Sequence, residues 1–350
     1  MYNSTPLMAN DFLRECLARL LHREDLTRVE AFALLEALLD RESTDAQIAA
    51  VLVALAAKGE TVDELAGMAS ALRARALPVR AYHECFVDTA GTGSSAAKTF
   101  NISTAAAFVI AGAGLPVAKH GNRAASSRSG SADVLTALGV NVSAAPQLSE
   151  QCLNEIGVCF MFAPLYHGAT ARVAGVRREL GVHTTFNLLG PLSNPAGAPR
   201  QVIGVWSKGL VSLLAEALAA LGTERAWVVH GADGLDEVTI DGKTFVAAAY
   251  EGAVETFEIE PEQFGLQRGT LDHVRGGDAQ ANAKIIHEVL TGTRNDEARA
   301  LVVINAAAAL FVGGRGADLK SAARLAEQSI DSGAAALKLE QLIDATNGRG

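Results

Sequence analysis

The chain has little of what marks a secreted, membrane-spanning or nucleic-acid-binding protein. Its 350 residues include four cysteines, Cys16, Cys85, Cys152 and Cys159, with neither metal-ligand spacing nor a paired framework. That argues against a disulfide scaffold or a cysteine-held metal, and fits reduced, mostly buried thiols in a cytosolic protein. Aromatic residues are scarce, at 5% of the chain, whereas Gly and Ala abound. Such a composition suits helices packed closely on a sheet. Basic charge is in deficit: the net charge is −9, and a nucleic-acid surface needs clustered Lys and Arg in excess. The opening run Met-Tyr-Asn-Ser-Thr-Pro lacks the basic-then-apolar pattern of a secretory signal. The longest apolar run, 105–118, is too short to cross a bilayer and is broken by Gly and Pro. What remains is a chain able to bury a large core, with length for more than one domain.

The N-terminal part carries no strand signal. Amphipathic spacing predicts helices over 11–22, 27–40, 44–58 and 61–76, with Phe32, Leu35, Leu38 and Leu39 on one face of the second. Three of these begin on a Thr suited to N-capping, and Thr61 with Glu64 forms a capping box. From Phe86 onward the pattern changes. Short apolar strands at 86–89, 116–119, 158–162, 201–206 and 226–230 alternate with helices such as 103–111, 148–156 and 210–221. That alternation predicts a parallel sheet covered on both faces. Residues 244–260 alternate around Glu251-Gly252 and read as a hairpin. Residues 169–189 read as helical, and three helices, 279–290, 296–312 and 318–345, close the chain. The predicted class is α/β: a small all-helical domain over 1–80, then a larger domain over 81–350 with a mostly parallel sheet flanked by helices. The boundary falls near Pro78.

Two loops carry the chemistry. In the first, the strand end Cys85-Phe86-Val87 runs into Asp88-Thr-Ala-Gly-Thr-Gly-Ser-Ser-Ala-Ala-Lys-Thr-Phe-Asn-Ile-Ser-Thr104. Glycines let backbone N–H groups close around a ligand, and hydroxyls at a helix start cap it where its free N–H groups attract anions. In the second, an apolar strand gives way to Lys119, His120, Asn122, Arg123 and Arg128 among Ser126, Ser127, Ser129 and Ser131. Two cationic, hydroxyl-lined turns at the carboxyl end of one sheet predict a phosphorylated ligand. Lys119, Arg123 and Ser127 are placed to meet its phosphates. Two readings stay open for Asn101, Ser103 and Thr104: simple helix caps, or ligand contacts. Arg177 is either a surface helix cation pairing with Glu179 or a bidentate partner for a carboxylate. Asp236 and Glu237 are either the acidic start of an exposed strand or a cation site. Tyr166 and His167 fit a core position and a substrate entry equally.

Gly-Thr-Gly…Thr-Phe-Asn-Ile-Ser-Thr followed by Lys-His-Gly-Asn-Arg…Ser-Ser-Arg-Ser-Gly-Ser resembles the anthranilate phosphoribosyltransferases of tryptophan biosynthesis. The resemblance continues through Phe160-Met-Phe-Ala-Pro164, Val176-Arg-Arg-Glu-Leu180, Phe186-Asn-Leu-Leu-Gly-Pro-Leu192, Val229-His-Gly231 and Gly234-Leu-Asp-Glu-Val238. It reaches Gly276-Gly-Asp-Ala279 and Asn305-Ala-Ala-Ala308, and is weakest over the first eighty residues. It implies a nucleoside-phosphorylase-like fold in which part of 169–195 joins the helical domain. It also implies a cytoplasmic homodimer using two Mg²⁺ ions, with no nucleic-acid or membrane partner. The implied reaction transfers the phosphoribosyl group of phosphoribosyl pyrophosphate to the anthranilate amine.

By the same resemblance, phosphoribosyl pyrophosphate meets Gly91, Ser94, Ser95 and Thr99 of the first loop and Asn101, Ile102, Ser103 and Thr104 at the helix start. It also meets Lys119, His120, Gly121, Asn122 and Arg123, then Ala124, Ala125, Ser126, Ser127 and Ser131. Lys119 and Arg123 take the catalytic role of stabilising departing pyrophosphate. Anthranilate meets Gly91, Asn122 and Arg177, and the metal ligands are Ser103, Asp236 and Glu237. The chain departs from the family pattern where Ser94-Ser95-Ala96 replaces Gly-Asp-Gly, Gly175 replaces a Pro, and His183 replaces an Arg. A pyrimidine nucleoside phosphorylase-like enzyme is the nearest alternative, and the Lys-His-Gly-Asn-Arg run counts against it. A non-catalytic nucleic-acid-binding relative would need a basic face, which the charge opposes.

Overall fold

The computed structural model describes residues 9–93, 99–124, 128–272 and 274–349. Helices α1 (Ala9–Leu21), α2 (Arg28–Leu39), α3 (Asp45–Lys58) and α4 (Val62–Arg75) come first. Then follow β1 (Val87–Gly91), α5 (Ile102–Gly112), β2 (Val117–Gly121), α6 (Ser131–Ala137), α7 (Pro146–Gln151), β3 (Val158–Phe162) and the short α8 (Ala163–Tyr166). Next are α9 (Ala171–Leu180), α10 (Thr185–Leu192), β4 (Arg200–Gly204), α11 (Leu210–Ala220) and β5 (Arg225–Gly231). The hairpin β6 (Thr244–Tyr250) and β7 (Ala253–Ile259) precedes α12 (Ala279–Leu290), α13 (Glu297–Val312), α14 (Leu319–Asp331) and α15 (Ala334–Thr346). The chain forms two compact units, Met1–Leu77 with His167–Ser193, and Pro78–Tyr166 with Asn194–Gly350.

In the helical unit, Thr27, Thr44 and Thr61 each cap a helix through a complete capping box, closed by Glu30, Gln47 and Glu64. Of the three boxes, only the last was expected from the sequence. Glu64 does more than cap. Its carboxylate is fully buried and accepts from the Leu26 amide at 3.0 Å, the Thr61 amide at 2.9 Å and Lys58 Nζ at 2.9 Å. One buried charge thus ties the entry to α2, the start of α4 and the end of α3.

In the larger unit, one seven-stranded sheet has the order β3-β2-β1-β4-β5-β6-β7. Strands β1 to β5 are parallel, and β6 and β7 add antiparallel to the β5 edge. The hairpin turns at Glu251 (φ 48°) and Gly252 (φ 82°). Helix α13 is almost wholly buried and packs with α5 on the sheet, which explains its run of alanines. A larger residue there would push the layers apart.

Three predicted helices are interrupted. The 148–156 helix begins at Pro146 and changes to a π-turn over Cys152–Ile156 that ends on Gly157 in the left-handed region. The 169–189 helix divides between Gly181, which ends α9 with φ 62°, and Thr184, which caps α10. The 318–345 helix divides at Gly333, with φ 78°, into α14 and α15. At both glycines a left-handed backbone stops a helix that side-chain periodicity alone continues. All four cysteines are free thiols, three of them buried and Cys85 partly so.

Glu64→Ala removes the anionic member of a buried pair and leaves Lys58 with Asp25 as its carboxylate partner among the described residues. We expect a loss of about 3–5 kcal/mol, read as a lower urea midpoint for the helical transition. A midpoint unchanged from the native chain would show that the three backbone segments hold without it.

Candidate active site at the carboxyl end of the sheet

Strands β1, β2, β4 and β5 each end in glycine, Gly91, Gly121, Gly204 and Gly231, and their parallel course brings these ends to one edge. At Gly204 a Cβ would collide with the carbonyl oxygen of Asp236. The loop after β5 therefore passes directly across the end of β4. Gly93, with φ 67°, turns the chain out of β1.

The sheet opens at this edge. Strands β1 and β4 pair along all five residues, but β1 and β2 pair only at Val87 and Val117. Beyond that pair, side chains take the backbone partners. Asp88 Oδ1 accepts from the His120 amide at 3.2 Å, and Lys119 Nζ donates to the Thr89 carbonyl at 2.5 Å. Asn194 Nδ2 donates to Asp88 Oδ2 at 2.7 Å and to the Ala118 carbonyl at 2.9 Å. All three side chains are buried. Burial pushes the Asp88 carboxyl up to about 6, against the pull of Lys119, Asn194 and the amides. Burial likewise lowers the Lys119 ammonium, against Asp88 and Glu237.

Lys119 Nζ also lies 3.4 Å from Ser103 Oγ, at the start of α5. The amides that open this helix do not stand free as an anion seat. Ser103 N donates to Glu237 Oε1 at 3.2 Å, Ile102 N to the Phe100 carbonyl at 2.8 Å, and Thr104 N to the Asn101 carbonyl at 3.1 Å. Ile102 and Thr104 are buried side chains. Asn101 sits at the N-cap position without a side-chain cap bond, so the capping reading does not hold for it.

Asp236 and Glu237 do not start a strand; they lie in the loop before β6, half-buried. Asn305 of α13 fixes that loop by accepting from the Val238 amide at 2.8 Å and donating to its carbonyl at 2.9 Å. Burial, then the neighbouring charge of Asp236, pushes the Glu237 carboxyl up, against the opposing pull of Lys119. Two crowded carboxylates are relieved by a divalent cation, so this donor set fits one. No cluster of three or more His, Cys, Asp or Glu ready to hold a metal occurs among the described residues. A bound Mg²⁺ would therefore complete its shell from waters or substrate oxygens.

The second loop is pinned by Asp133, in the first turn of α6. Its Oδ2 accepts from the amides of Ala124 at 2.9 Å and Gly130 at 3.0 Å, and its Oδ1 from Arg123 Nη1 at 2.9 Å. Burial works against its charge, but those partners outweigh it and hold the carboxyl low. Gly130 has no room for a Cβ against Asn122, Arg123 and Ala124. Asn122 is exposed, its carbonyl taking the Ala132 amide at 3.1 Å and Ser131 Oγ at 3.3 Å. The Arg123 guanidinium also sits 5.6 Å over the Phe162 ring. Thr99 bridges Arg275, and His120 is buried near Asp88.

Arg177 belongs to the helical unit, on α9. Its Nη2 donates to Asn187 Oδ1 at 3.4 Å and its guanidinium lies 5.2 Å over Phe186, instead of turning to Glu179. Burial lowers it. Tyr166 and His167 are both buried; burial raises the tyrosine to about 12 and lowers the imidazole to about 4. Ser94, Ser95, Ala96, Ala125, Ser126 and Ser127 lie outside the described residues.

Residues 83–336 match the model of the glycosyl transferase family, a/b domain, and residues 14–76 match its helical bundle domain. The fold is thus that of a two-domain glycosyl transferase. The chain is 50% identical to the anthranilate phosphoribosyltransferase of Moorella thermoacetica over 331 residues, 95% of this chain and 97% of that one. The solved Thermus thermophilus enzyme superposes with TM-score 0.89 at 40% identity, covering 95% of this chain and 99% of that one. The Saccharomyces cerevisiae enzyme, in complex with PRPP and Mg, gives 0.87 at 28% identity, covering 99% and 100%. The chain belongs to the anthranilate phosphoribosyltransferase family.

Asp133→Ala frees two loop amides from a charged acceptor, a bond type worth about 1.5–3 kcal/mol. Hydrogen exchange at Ala124 and Gly130 should accelerate by at least about tenfold. A carboxyl held low contributes stability above its unfolded pKa and loses it as pH falls through its folded one. Protection in the native chain should therefore persist down to about pH 4 and fade only below. Equal exchange in variant and native chain would remove Asp133 as the pin.

Proposed function

We infer that the chain joins the anthranilate nitrogen to C1 of phosphoribosyl pyrophosphate. A C1–N bond forms, the C1–O bond to pyrophosphate breaks, and the amine proton passes to solvent. The observation that carries this reading is the buried Lys119 ammonium beside Ser103 and Glu237, where β1 and β2 part. A cation fixed in a water-poor crevice, with glycine turns and a hydroxyl-lined loop around it, suits a departing pyrophosphate. Lys119 and Arg123 stabilise that charge. Gly91, Thr99, Asn101, Ser103, His120 to Ser127 and Ser131 make the sugar-phosphate contacts, Ser94 and Ser95 with them, while Ile102 and Thr104, buried and with their amides bonded to Phe100 and Asn101, support that turn from behind. Arg177, Asn122 and Gly91 recognise the anthranilate carboxylate and ring.

Asp236 and Glu237 with Ser103 would hold Mg²⁺, and two ions fit the reading. The metal, when bound, neutralises pyrophosphate oxygens. Arg123 already pairs with Asp133, so substrate phosphate competes with that carboxylate for the guanidinium. No side chain in a position to act as a strong general base stands out among the described residues, which suits a weakly basic aromatic amine. A homodimer joined through the helical unit and a cytoplasmic location complete the reading on family resemblance. No helix among the described residues is long and apolar enough to cross a membrane.

The test is the loss of anthranilate fluorescence on adding phosphoribosyl pyrophosphate with Mg²⁺. Arg177→Ala removes a charged partner worth about 1.5–3 kcal/mol, so the anthranilate KM should rise by about ten- to a hundredfold. The phosphoribosyl pyrophosphate KM should stay near the native value. No fluorescence loss with folded native chain would refute the activity, and equal weakening toward both substrates would refute the role of Arg177.

A further inference from the structure

Asn282, in the first turn of α12, is only 2% exposed and belongs to none of the loops described above. Its Oδ1 accepts from the Gly277 amide at 2.7 Å. Its Nδ2 donates to Asn101 Oδ1 at 3.1 Å. Asn101 Nδ2 in turn donates to the Ser129 carbonyl at 3.2 Å. The three bonds join the segment before α12, the start of α5 and the end of the second loop.

The polarity of this series is fixed at both ends by backbone groups. A peptide N–H only donates, so the atom of Asn282 that faces Gly277 must be oxygen. That turns its amine toward Asn101. A peptide C=O only accepts, so the atom of Asn101 that faces Ser129 must be nitrogen, which leaves its oxygen for Asn282. Both requirements are met together only if each side chain carries one donor end and one acceptor end. Carboxamides do; carboxylates and alkyl groups do not. The segment before α12 is itself tightly seated. Gly276 has no room for a Cβ against the Thr99 carbonyl and Phe100 amide, and Arg275 bridges Thr99.

We propose that Asn282 is a positioning residue for the phosphoribosyl pyrophosphate site: through the orientation of the Asn101 amide it holds the start of α5 and the end of the second loop in register. It touches no substrate. Among the described residues its side-chain amide bonds to Gly277 and Asn101. The proposal rests on the phosphoribosyl pyrophosphate reading of these loops.

Asn282→Asp tests it with almost no change of shape. The Gly277 bond survives, but an acceptor now faces Asn101 Oδ1. Asn101 either loses that partner or rotates its amide and presents oxygen to the Ser129 carbonyl. In the first case the bond between α12 and the start of α5 is lost, and in the second the bond to the second loop is; either way the three-bond series is cut.

Binding of phosphoribosyl pyrophosphate, followed by calorimetry with Mg²⁺ and without anthranilate, should weaken by about tenfold. The anthranilate KM at saturating phosphoribosyl pyrophosphate should stay within about twofold. In a background of Asn101→Ala the same substitution should have no further effect, because the relay is already cut.

Native affinity in folded Asn282→Asp would overturn the proposal. So would an undiminished loss in the Asn101→Ala background, which would mark a general packing role. If Asn282→Asp does not fold, Asn282→Gln, which keeps both ends but lengthens the arm, supplies the same comparison. Failure of the native chain to bind phosphoribosyl pyrophosphate would instead refute the functional reading itself.

Discussion

The pairing of β1 with β2 stops after one residue pair, and the site depends on how that gap is filled. A parallel ladder left open inside a sheet exposes backbone groups to a poorly solvated crevice, at a cost comparable to lost hydrogen bonds. Here Asp88, Lys119 and Asn194 reach across and take the His120 amide, the Thr89 carbonyl and the Ala118 carbonyl. The substitution of side chains for ladder has a second effect. It buries an ammonium and a carboxylate at the carboxyl end of the sheet, where their charges are poorly screened. Lys119 is raised in energy by burial and met by neutral oxygens from Thr89 and Ser103. Asp88 and Glu237 act on it through their charge while its direct bonds go to neutral oxygens, and a polyanion arriving there finds a cation already desolvated. Glu237, destabilised by burial and by Asp236 beside it, presents the converse need for a cation.

Around this crevice the loops are held from behind. Asn305 clamps Val238, Asp133 pins Ala124 and Gly130, and Asn194 accepts from Ala196 while bridging to Asp88. Each uses a buried or partly buried polar side chain bonded mainly to backbone. Such bonds cost little reorganisation when a ligand binds, which is the condition for electrostatic stabilisation of a departing group.

Much of this was legible in the sequence because it was local. The apolar lead-ins predicted each of the first five strands to within a few residues, and Glu251-Gly252 marked the hairpin turn. Lys119, Ser103 and Glu237 were named from glycine-rich turns and from resemblance, and Lys119 and Glu237 do both converge on Ser103. What was not legible was long-range. Nothing local links Ser103 to Glu237 or Asn305 to Val238, because the partners are 134 and 67 residues apart. Asp133 and Asn282 looked like polar positions on ordinary helices. The helix breaks at Gly181 and Gly333 were missed because amphipathic periodicity runs on across them, and only the left-handed backbone shows the stop. For Arg177 the sequence suggested a near neighbour, Glu179, as its structural partner, while the fold gave it Asn187 and Phe186.

The central claim is that the buried charge of Lys119, not merely its bulk, makes the crevice a pyrophosphate site. Lys119→Met keeps a flexible apolar stem and removes the terminal ammonium. Calorimetric titration with phosphoribosyl pyrophosphate and Mg²⁺ should show affinity reduced by at least about thirtyfold, the lower range for losing one partner of a buried charge pair. Circular dichroism should show secondary structure unchanged. Native affinity in a folded Lys119→Met protein would contradict the account.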